Sequence, residues 1–396
     1  MHIERFVERN LDSTEIRRNL ACDALEGQIC PDAADALRDI LADIDAAVDE
    51  AGNLHVEIAG ESVSTRADYE RTELARDIVL AEDGIEALIG RICDEDSSIL
   101  DQSQLVAERL AGRQFEACFT DRDGTVNGYS NRYVTSIQPA HVALSLTRFA
   151  AAVCNHFVVL TAGPLADPGI LDLSVMPSSQ VVYAASKGRE VVFPDGSGIA
   201  EHLGPDQRSA LRELARAVED LYLTDRFASF RYVGSGLQSK FGECSVAYQD
   251  WQSNCPPELS LAFRAEIEAQ IRRIDPDGRT FHVEDGGRDL EISTLDASAT
   301  AYDKGAGLLF VAEHAGIGLK GRSVLVCGDT MSDVPMVRRA AEAGARLEVI
   351  FVTTDPALQA QLRDVAPQTL FVDRYEALVL GMYLAVTEET HEYMVV

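Results

Sequence analysis

A chain of 396 residues with 46% apolar content is long enough to bury two or three substructures. No run of it approaches the roughly 18 consecutive apolar residues that cross a bilayer, so no membrane partner is expected. The net charge of −30 is spread along the chain as a solvated surface and would repel a phosphodiester backbone, which speaks against a nucleic-acid partner.

The N-terminus, MHIERFVERN, is charged from the fourth residue and lacks the apolar core of a signal peptide, so the expected compartment is the cytoplasm. Eight cysteines lie at 22, 30, 93, 118, 154, 244, 255 and 327 with no CxxC pair, the pattern of buried reduced thiols rather than a metal or disulfide framework.

Residues 1–112 read as helical. Between Pro31 and Gly52, Ala34, Leu37, Ile40, Leu41, Ile44, Ala47 and Val48 fall on one helix face, with Pro31 suited to the first turn and Gly52 to the stop. Similar patterns recur over 13–24, 68–81, 83–93 and 100–110, and only Leu54, Val56 and Ile58 alternate like a strand. No catalytic constellation occurs here, and the region is expected to serve packing or homo-oligomer formation.

From Phe115 the pattern becomes strands alternating with helices, the mark of an α/β sheet. FEACFT (115–120) reads as a strand, 138–154 as a helix and FVVLT (157–161) as a strand. VVYAA and EVVF form a hairpin around Lys187-Gly188. A second α/β rhythm follows: helix 206–222, strand-like stretches near 228–233 and 243–248, helix 257–273, and a hairpin around Gly286-Gly287. The first rhythm then resumes with a helix near 304–315, strand SVLVC (323–327), helix 333–343 and strand LEVIFVT (347–353). One α/β unit is inserted into another: a core of 113–200 and 299–396 around a unit of 201–298.

Four segments carry chemistry. Asp121-Arg122-Asp123-Gly124-Thr125 follows the strand FEACFT directly, at the strand end where open α/β sheets place ligands. Two carboxylates two residues apart on a turning backbone can enter one site in different roles, one attacking phosphorus and the other moving protons. Gly124 permits the turn, and Thr125 can cap the next element. Thr161 closes an apolar strand, where its hydroxyl and backbone N–H can bind a phosphoryl oxygen. Lys304 opens a helix and can offset the charge of a carboxylate–phosphate pair. Asp329 and Asp333, after SVLVC, can hold Mg²⁺. Each segment alone has a bland explanation as turn, cap or surface charge. Their joint order does not, since DxDGT alone arises by chance in about one chain per several hundred.

Together the four segments resemble the motifs of the haloacid dehalogenase (HAD) superfamily over about 115–380. The resemblance implies a Rossmann-like core carrying a C2-type cap, with an N-terminal helical region in front. It implies Asp121 as nucleophile, Asp123 as general acid/base, and Thr161 and Lys304 as phosphoryl ligands. Mg²⁺ would be held by Asp121, the backbone carbonyl of Asp123 and Asp329, with Asp333 close behind. TDRDGTVNGYSNRY, LTAGPL, YAASKGRE and YDKGAGLLFV further resemble the glucosylglycerol-phosphate phosphatases of compatible-solute synthesis. Trehalose-phosphate and sucrose-phosphate phosphatases share the same core and cap type and stay open as alternatives. So do a phosphomutase and a non-catalytic sugar-phosphate-binding protein.

The expected partner is a small sugar phosphate. Gly124, Thr125, Asn127, Tyr129, Asn131, Arg132 and Tyr133 follow the nucleophile and offer hydroxyl, amide and aromatic groups suited to a sugar. Lys187, Arg189 and Glu190 on the hairpin after Thr161 are candidate substrate contacts, as is Glu291 on the last strand of the inserted unit. Trp251, the only tryptophan, is expected to pack within that unit.

Overall fold

A computed structural model describes residues 3–58, 61–250, 253, 255–295 and 301–387. Trp251 lies outside them. Among them no helix is long and apolar enough to cross a membrane.

The N-terminal region comprises helices α1 (Ile3–Leu25) and α2 (Pro31–Asp45), strands β1 (Asn53–Ile58) and β2 (Glu61–Arg66), and helices α3 (Asp68–Glu95) and α4 (Ser98–Leu110). Two expectations are corrected. The apolar periodicity after Pro31 runs on to Val48, but the helix stops at Asp45 and the chain turns back through Gly52. The region is also not all-helical, because β1 and β2 pair as an antiparallel hairpin. In α3, Gly84 takes φ 82°, which explains why the periodicity reads as two segments meeting near that point.

Next come β3 (Phe115–Thr120), α5 (Ala140–Val153), β4 (Cys154–Leu160), α6 (Ile170–Leu173), β5 (Val181–Ala185), β6 (Glu190–Val192) and β7 (Gly198–Ala200). An inserted unit holds α7 (Pro205–Tyr222), β8 (Leu237–Lys240), β9 (Glu243–Ala247), α8 (Pro257–Ile274), β10 (Phe281–Asp285) and β11 (Asp289–Thr294). The chain then completes its large sheet with α9 (Lys304–His314), β12 (Ser323–Gly328), α10 (Val334–Glu342), β13 (Arg346–Val352), α11 (Pro356–Val365), β14 (Leu370–Val372) and α12 (Tyr375–Leu384). The stretch near 228–233, expected as a strand, is a 3₁₀ turn over Ala228–Tyr232. Its buried Phe227, Phe230 and Val233 recur every third residue, the period of that turn.

The large sheet has the order β14-β13-β12-β3-β4-β5-β6-β7. Its first six strands are parallel and the last two antiparallel. Parallel strands covered on both faces read as continuous apolar runs, as FEACFT and SVLVC do. One face is covered by α5 and α12, with the N-terminal helices beyond them; the other is covered by α9, α10 and α11. From β3 the chain moves outward through β4 and β5, and from β12 outward through β13 and β14. The strand order therefore reverses between β3 and β12, which is where such sheets open a ligand crevice.

The inserted unit is a four-stranded antiparallel sheet, β10-β11-β9-β8, packed on α7 and α8. Phe230 stacks on Phe263 at 4.1 Å in its core. Alternation decides its two faces. Cys244, Val246, Leu290 and Ile292 are buried in the apolar core, while Gln238, Ser245 and Glu291 stand in register across three strands on the opposite face.

Candidate active site

Asp121, Asp329 and Asp333 gather at the β3/β12 reversal. Asp121 follows β3, and its backbone N–H donates to the carbonyl of Cys327 on β12 at 3.0 Å, which fixes the two strand ends together. Asp303 caps α9 through the N–H of Ala306 at 2.8 Å, so Lys304 enters the crevice from the first helical turn. Its ammonium lies 2.6 Å from Asp121 Oδ1 and 2.5 Å from Asp333 Oδ1, with all three side chains buried. Asp333 Oδ2 accepts the backbone N–H groups of Asp329 and Thr330 at 3.1 and 2.9 Å.

Gly124 takes φ 89°, and a Cβ there would stand 2.2 Å from Asp329 Oδ2 and 2.5 Å from the Tyr129 ring. Only a glycine lets the backbone pass this close to the carboxylate. Thr125 Oγ1 donates to Asp329 Oδ1 at 2.9 Å, and Tyr129 Oη to Asp329 Oδ2 at 2.5 Å.

Burial, together with the charges of Asp333 and Asp329, pushes Asp121 well above the usual carboxylate range, against the pull of Lys304. Burial and Asp333 raise Asp329 to about 6. Lys304 is held well above its ordinary value: burial works against the ammonium, but Asp121 and Asp333 outweigh it. Carboxylates crowded to this degree repel one another, and a hard divalent cation relieves that repulsion. Ligand atoms of Asp121, Asp329 and Asp333 lie within 4.8 Å of one another and are all oxygens, a donor set that fits Mg²⁺.

Asp123 is not in that cluster. Its Oδ1 accepts from Arg122 Nη1 at 2.6 Å and from Ser136 Oγ at 2.6 Å, and Arg122 also donates to Ser136 Oγ at 3.0 Å and to the Ser136 carbonyl. Thr161 directly follows β4, the strand beside β3. Its N–H is committed to the carbonyl of Ala184 at 2.9 Å, so only its hydroxyl, which accepts from the N–H of Gly163 at 3.0 Å, can turn to a phosphoryl group. The expected backbone donor at Thr161 is corrected accordingly.

Beside Asp123 opens a cleft of about 280 Å³. The core side supplies Tyr129, Ser130, Asn131, Tyr133 and Ser136, and the inserted unit supplies Gln238, Ser245, Gln249, Arg288 and Asp289. Of the eleven expected sugar contacts, Tyr129, Asn131 and Tyr133 line it.

The other expected contacts lie elsewhere. Gly124 and Thr125 pack on Asp329. Asn127 is fully buried, with Nδ2 3.2 Å from Ser136 Oγ. Arg132 is buried and donates to the carbonyl of Tyr232. Lys187 and Glu291 meet each other instead, at 3.0 Å, and Lys187 also holds Glu243 at 2.7 Å. Burial works against the charged form of Glu243, but Lys240 and Lys187 hold it down to about 2. Arg189 bonds Thr294 Oγ1 at 3.0 Å and Glu201 at 3.3 Å and lies over the Tyr302 ring, so it stitches the large sheet to the inserted unit. Glu190 accepts from Ser186 Oγ at 3.0 Å.

Sequence reasoning missed Arg122, Ser136, Gln238, Ser245, Gln249, Arg288 and Asp289. A signal existed for part of this set. Gln238 and Lys240 on β8, Glu243 and Ser245 on β9, and Glu291 and Ser293 on β11 are polar at every second position and pair with one another across the strands, while the intervening Cys244, Val246, Leu290 and Ile292 on β9 and β11 are apolar. An alternating polar face that meets the core is a lining rather than a solvated surface.

A buried aspartate after β3, a buried lysine opening α9 and two carboxylates after the neighbouring strand β12 meet in one crevice, the arrangement expected from the resemblance to the HAD superfamily. Residues 118–377 match the family model described as trehalose-6-phosphate phosphatase, C-terminal, and the chain belongs to that family. Trehalose-phosphatase of Brugia malayi is 33% identical over 282 residues, covering 68% of this chain and 56% of its own length. Trehalose-phosphatase of Caenorhabditis elegans is 32% identical over 257 residues, 62% of this chain and 57% of its own. Alpha,alpha-trehalose-phosphate synthase (UDP-forming) 1 of Aphelenchoides avenae is 32% identical over 282 residues, 69% of this chain and 24% of its own. The chain thus spans between a quarter and somewhat over half the length of these relatives. Among solved structures, the Candida albicans trehalose-6-phosphate phosphatase C-terminal domain aligns with TM-score 0.48 and 11% identity, over 72% of this chain and 96% of its own. Aspergillus fumigatus trehalose-6-phosphate phosphatase, crystal form 2, aligns with TM-score 0.40 and 16% identity, over 72% and 98%. Likeness at that level adds nothing to the family match.

Proposed function

We propose that this protein hydrolyses trehalose 6-phosphate to trehalose and inorganic phosphate through an aspartyl-phosphate on Asp121. The observation that carries the chemistry is the buried contact of Asp121 with Lys304 beside Asp329 and Asp333. The family match and the trehalose-phosphatase relatives support the substrate. The resemblance to glucosylglycerol-phosphate phosphatase finds no such support.

Asp121, Asp329 and Asp333 would hold Mg²⁺, which when bound supplies charge neutralisation of carboxylate and phosphoryl oxygens. Asp121 attacks phosphorus in line as the bond from phosphorus to the sugar oxygen breaks. Lys304 stays fixed by Asp121 and Asp333 and offsets charge on the phosphoryl oxygens. Asp123 gives a proton to the departing sugar oxygen. It then takes one from the water that attacks the aspartyl-phosphate, which releases phosphate and restores Asp121. Arg122 and Ser136 hold the Asp123 carboxyl on the sugar side of the phosphorus. Hydroxyl, amide and guanidinium groups around the cleft suit a polyhydroxylated leaving group.

The test is free-phosphate release with Mg²⁺ from trehalose 6-phosphate, glucosylglycerol phosphate, sucrose 6-phosphate and hexose phosphates. Preference for trehalose 6-phosphate is expected. Preference for glucosylglycerol phosphate would overturn the substrate and leave the mechanism. Transfer of the phosphoryl group to a second hydroxyl without free phosphate would make the protein a mutase.

A further inference from the structure

The loop between β3 and α5 lines the sugar cleft yet contains little regular structure, only a 3₁₀ turn over Tyr133–Thr135. What holds it comes from the N-terminal region. Glu70, in the first turn of α3, is 2% exposed, and its Oε1 lies 2.8 Å from Ser130 Oγ and 2.6 Å from Thr135 Oγ1. Those two hydroxyls are 3.0 Å apart and both also reach the carbonyl of Arg132. Around this contact Asn131 Nδ2 donates to the carbonyl of Arg66 at 3.2 Å, and Tyr69 Oη to the carbonyl of Ile137 at 2.8 Å. Asp77 accepts the N–H of Ala140 at 3.0 Å. One stretch, 66–77, thereby fixes 130–140.

Glu70 is a costly residue for a tether. Among the described residues it makes no ion pair, and its Oε2 has no hydrogen-bond partner. A buried carboxyl left in this state works against folding, and groups of that kind are kept where a site needs them. The loop it grips presents Ser130, Asn131 and Tyr133 to the cleft and Ser136 to Asp123.

We propose that Glu70 is a positioning residue of the phosphatase reaction: through Ser130 and Thr135 it sets the loop that forms the sugar subsite and orients Asp123. The N-terminal region is then a wall of the active site, although the family match begins only at residue 118. This inference rests on the function proposed above.

The experiment uses the full chain with Mg²⁺, its preferred sugar phosphate from the panel, and p-nitrophenyl phosphate, whose good leaving group needs neither a sugar subsite nor strong proton donation. Wild type that releases phosphate from neither substrate defeats the functional reading itself. With active wild type, Glu70→Ala is expected to lower kcat/KM for the sugar phosphate by about tenfold or more, through the sugar subsite and through proton donation by Asp123 together. For p-nitrophenyl phosphate kcat/KM, which reports only the steps up to release of the alcohol, should change by less than about threefold. Glu70→Gln, whose amide oxygen still accepts from both hydroxyls, should recover most of the loss. An equal loss on both substrates, or no loss on either, overturns the proposal. Should Glu70→Ala fail to fold, Thr135→Val removes the same contact from the loop side, and the same split or its absence decides.

Discussion

The two sides of the active site are made differently. The phosphoryl side stands on strand ends and a helix start: Asp121 after β3, Thr161 after β4, Asp329 and Asp333 after β12, and Lys304 opening α9. The sugar side is a loop gripped by α3 and a polar sheet face brought in from residues 237–291. Regular elements fix the first through hydrogen bonds that form whatever the side chains are. Side-chain contacts between distant segments fix the second. On the function proposed, chemistry common to any phosphate monoester would belong to the rigid side, and selection among monoesters to the assembled one.

The sharpest test of that division is at Asp121, the proposed nucleophile. Asp121→Asn should cut phosphate release from sugar phosphates and p-nitrophenyl phosphate alike by at least about 10³-fold, with the fold intact by circular dichroism. Near-normal turnover would remove Asp121 from the mechanism. Asp123→Asn should divide the substrates in kcat/KM, lowering it for the sugar phosphate by about 10²–10⁴-fold and for p-nitrophenyl phosphate far less, because up to release of the alcohol only the sugar alkoxide needs a proton; the later hydrolysis of the aspartyl-phosphate is common to both. Equal losses would place Asp123 on the phosphoryl side. Smaller again is Arg288→Ala, at the cleft edge of the inserted unit: KM for the sugar phosphate should rise about tenfold while kcat holds. A fall in kcat instead would mean that the inserted unit takes part in the chemistry.

The smallest effect lies behind the loop. Burial alone would raise Glu73, but the hydrogen bond with His141 and the charge of Arg76 hold it down from 4.5 to about 2. The stability it contributes is complete above pH 4.5 and is lost as pH falls toward 2. Chemical denaturation between pH 5 and about 2 should show a steeper loss in wild type than in Glu73→Gln. Equal slopes would separate Glu73 from acid unfolding.

The same division explains what was legible in the sequence. Asp121, Asp123, Lys304, Asp329 and Asp333 sit where a local pattern, strand then carboxylate or helix start, announces a position. The structure accordingly places Asp121, Lys304, Asp329 and Asp333 together. The sugar side gave no such pattern. Lys187 and Glu291 were singled out separately, but only the packing of the inserted sheet against the 186–188 turn pairs them with each other. Arg122 went unread because an arginine between two aspartates looks like a surface charge, whereas here it is buried under Ser136. Glu70 lay in a region whose helical periodicity was plain and whose polar residues looked like solvent-facing filler. Strand 228–233 failed for a different reason, since a spacing of three and an alternation of two are hard to tell apart over six residues.

Helix α12 packs on α4, where a Cβ on Gly381 would stand 2.4 Å from Val106 Cβ, and its Tyr375 and Glu376 meet Arg76 in the interior. These partners are about three hundred residues apart in the chain. During synthesis, therefore, the first hundred residues wait with a charged, half-built interior until helix α12 has left the ribosome. Any product that stops short of residue 375 exposes Arg76 and the seam of α4, and protein quality control reads surfaces of that kind as unfinished.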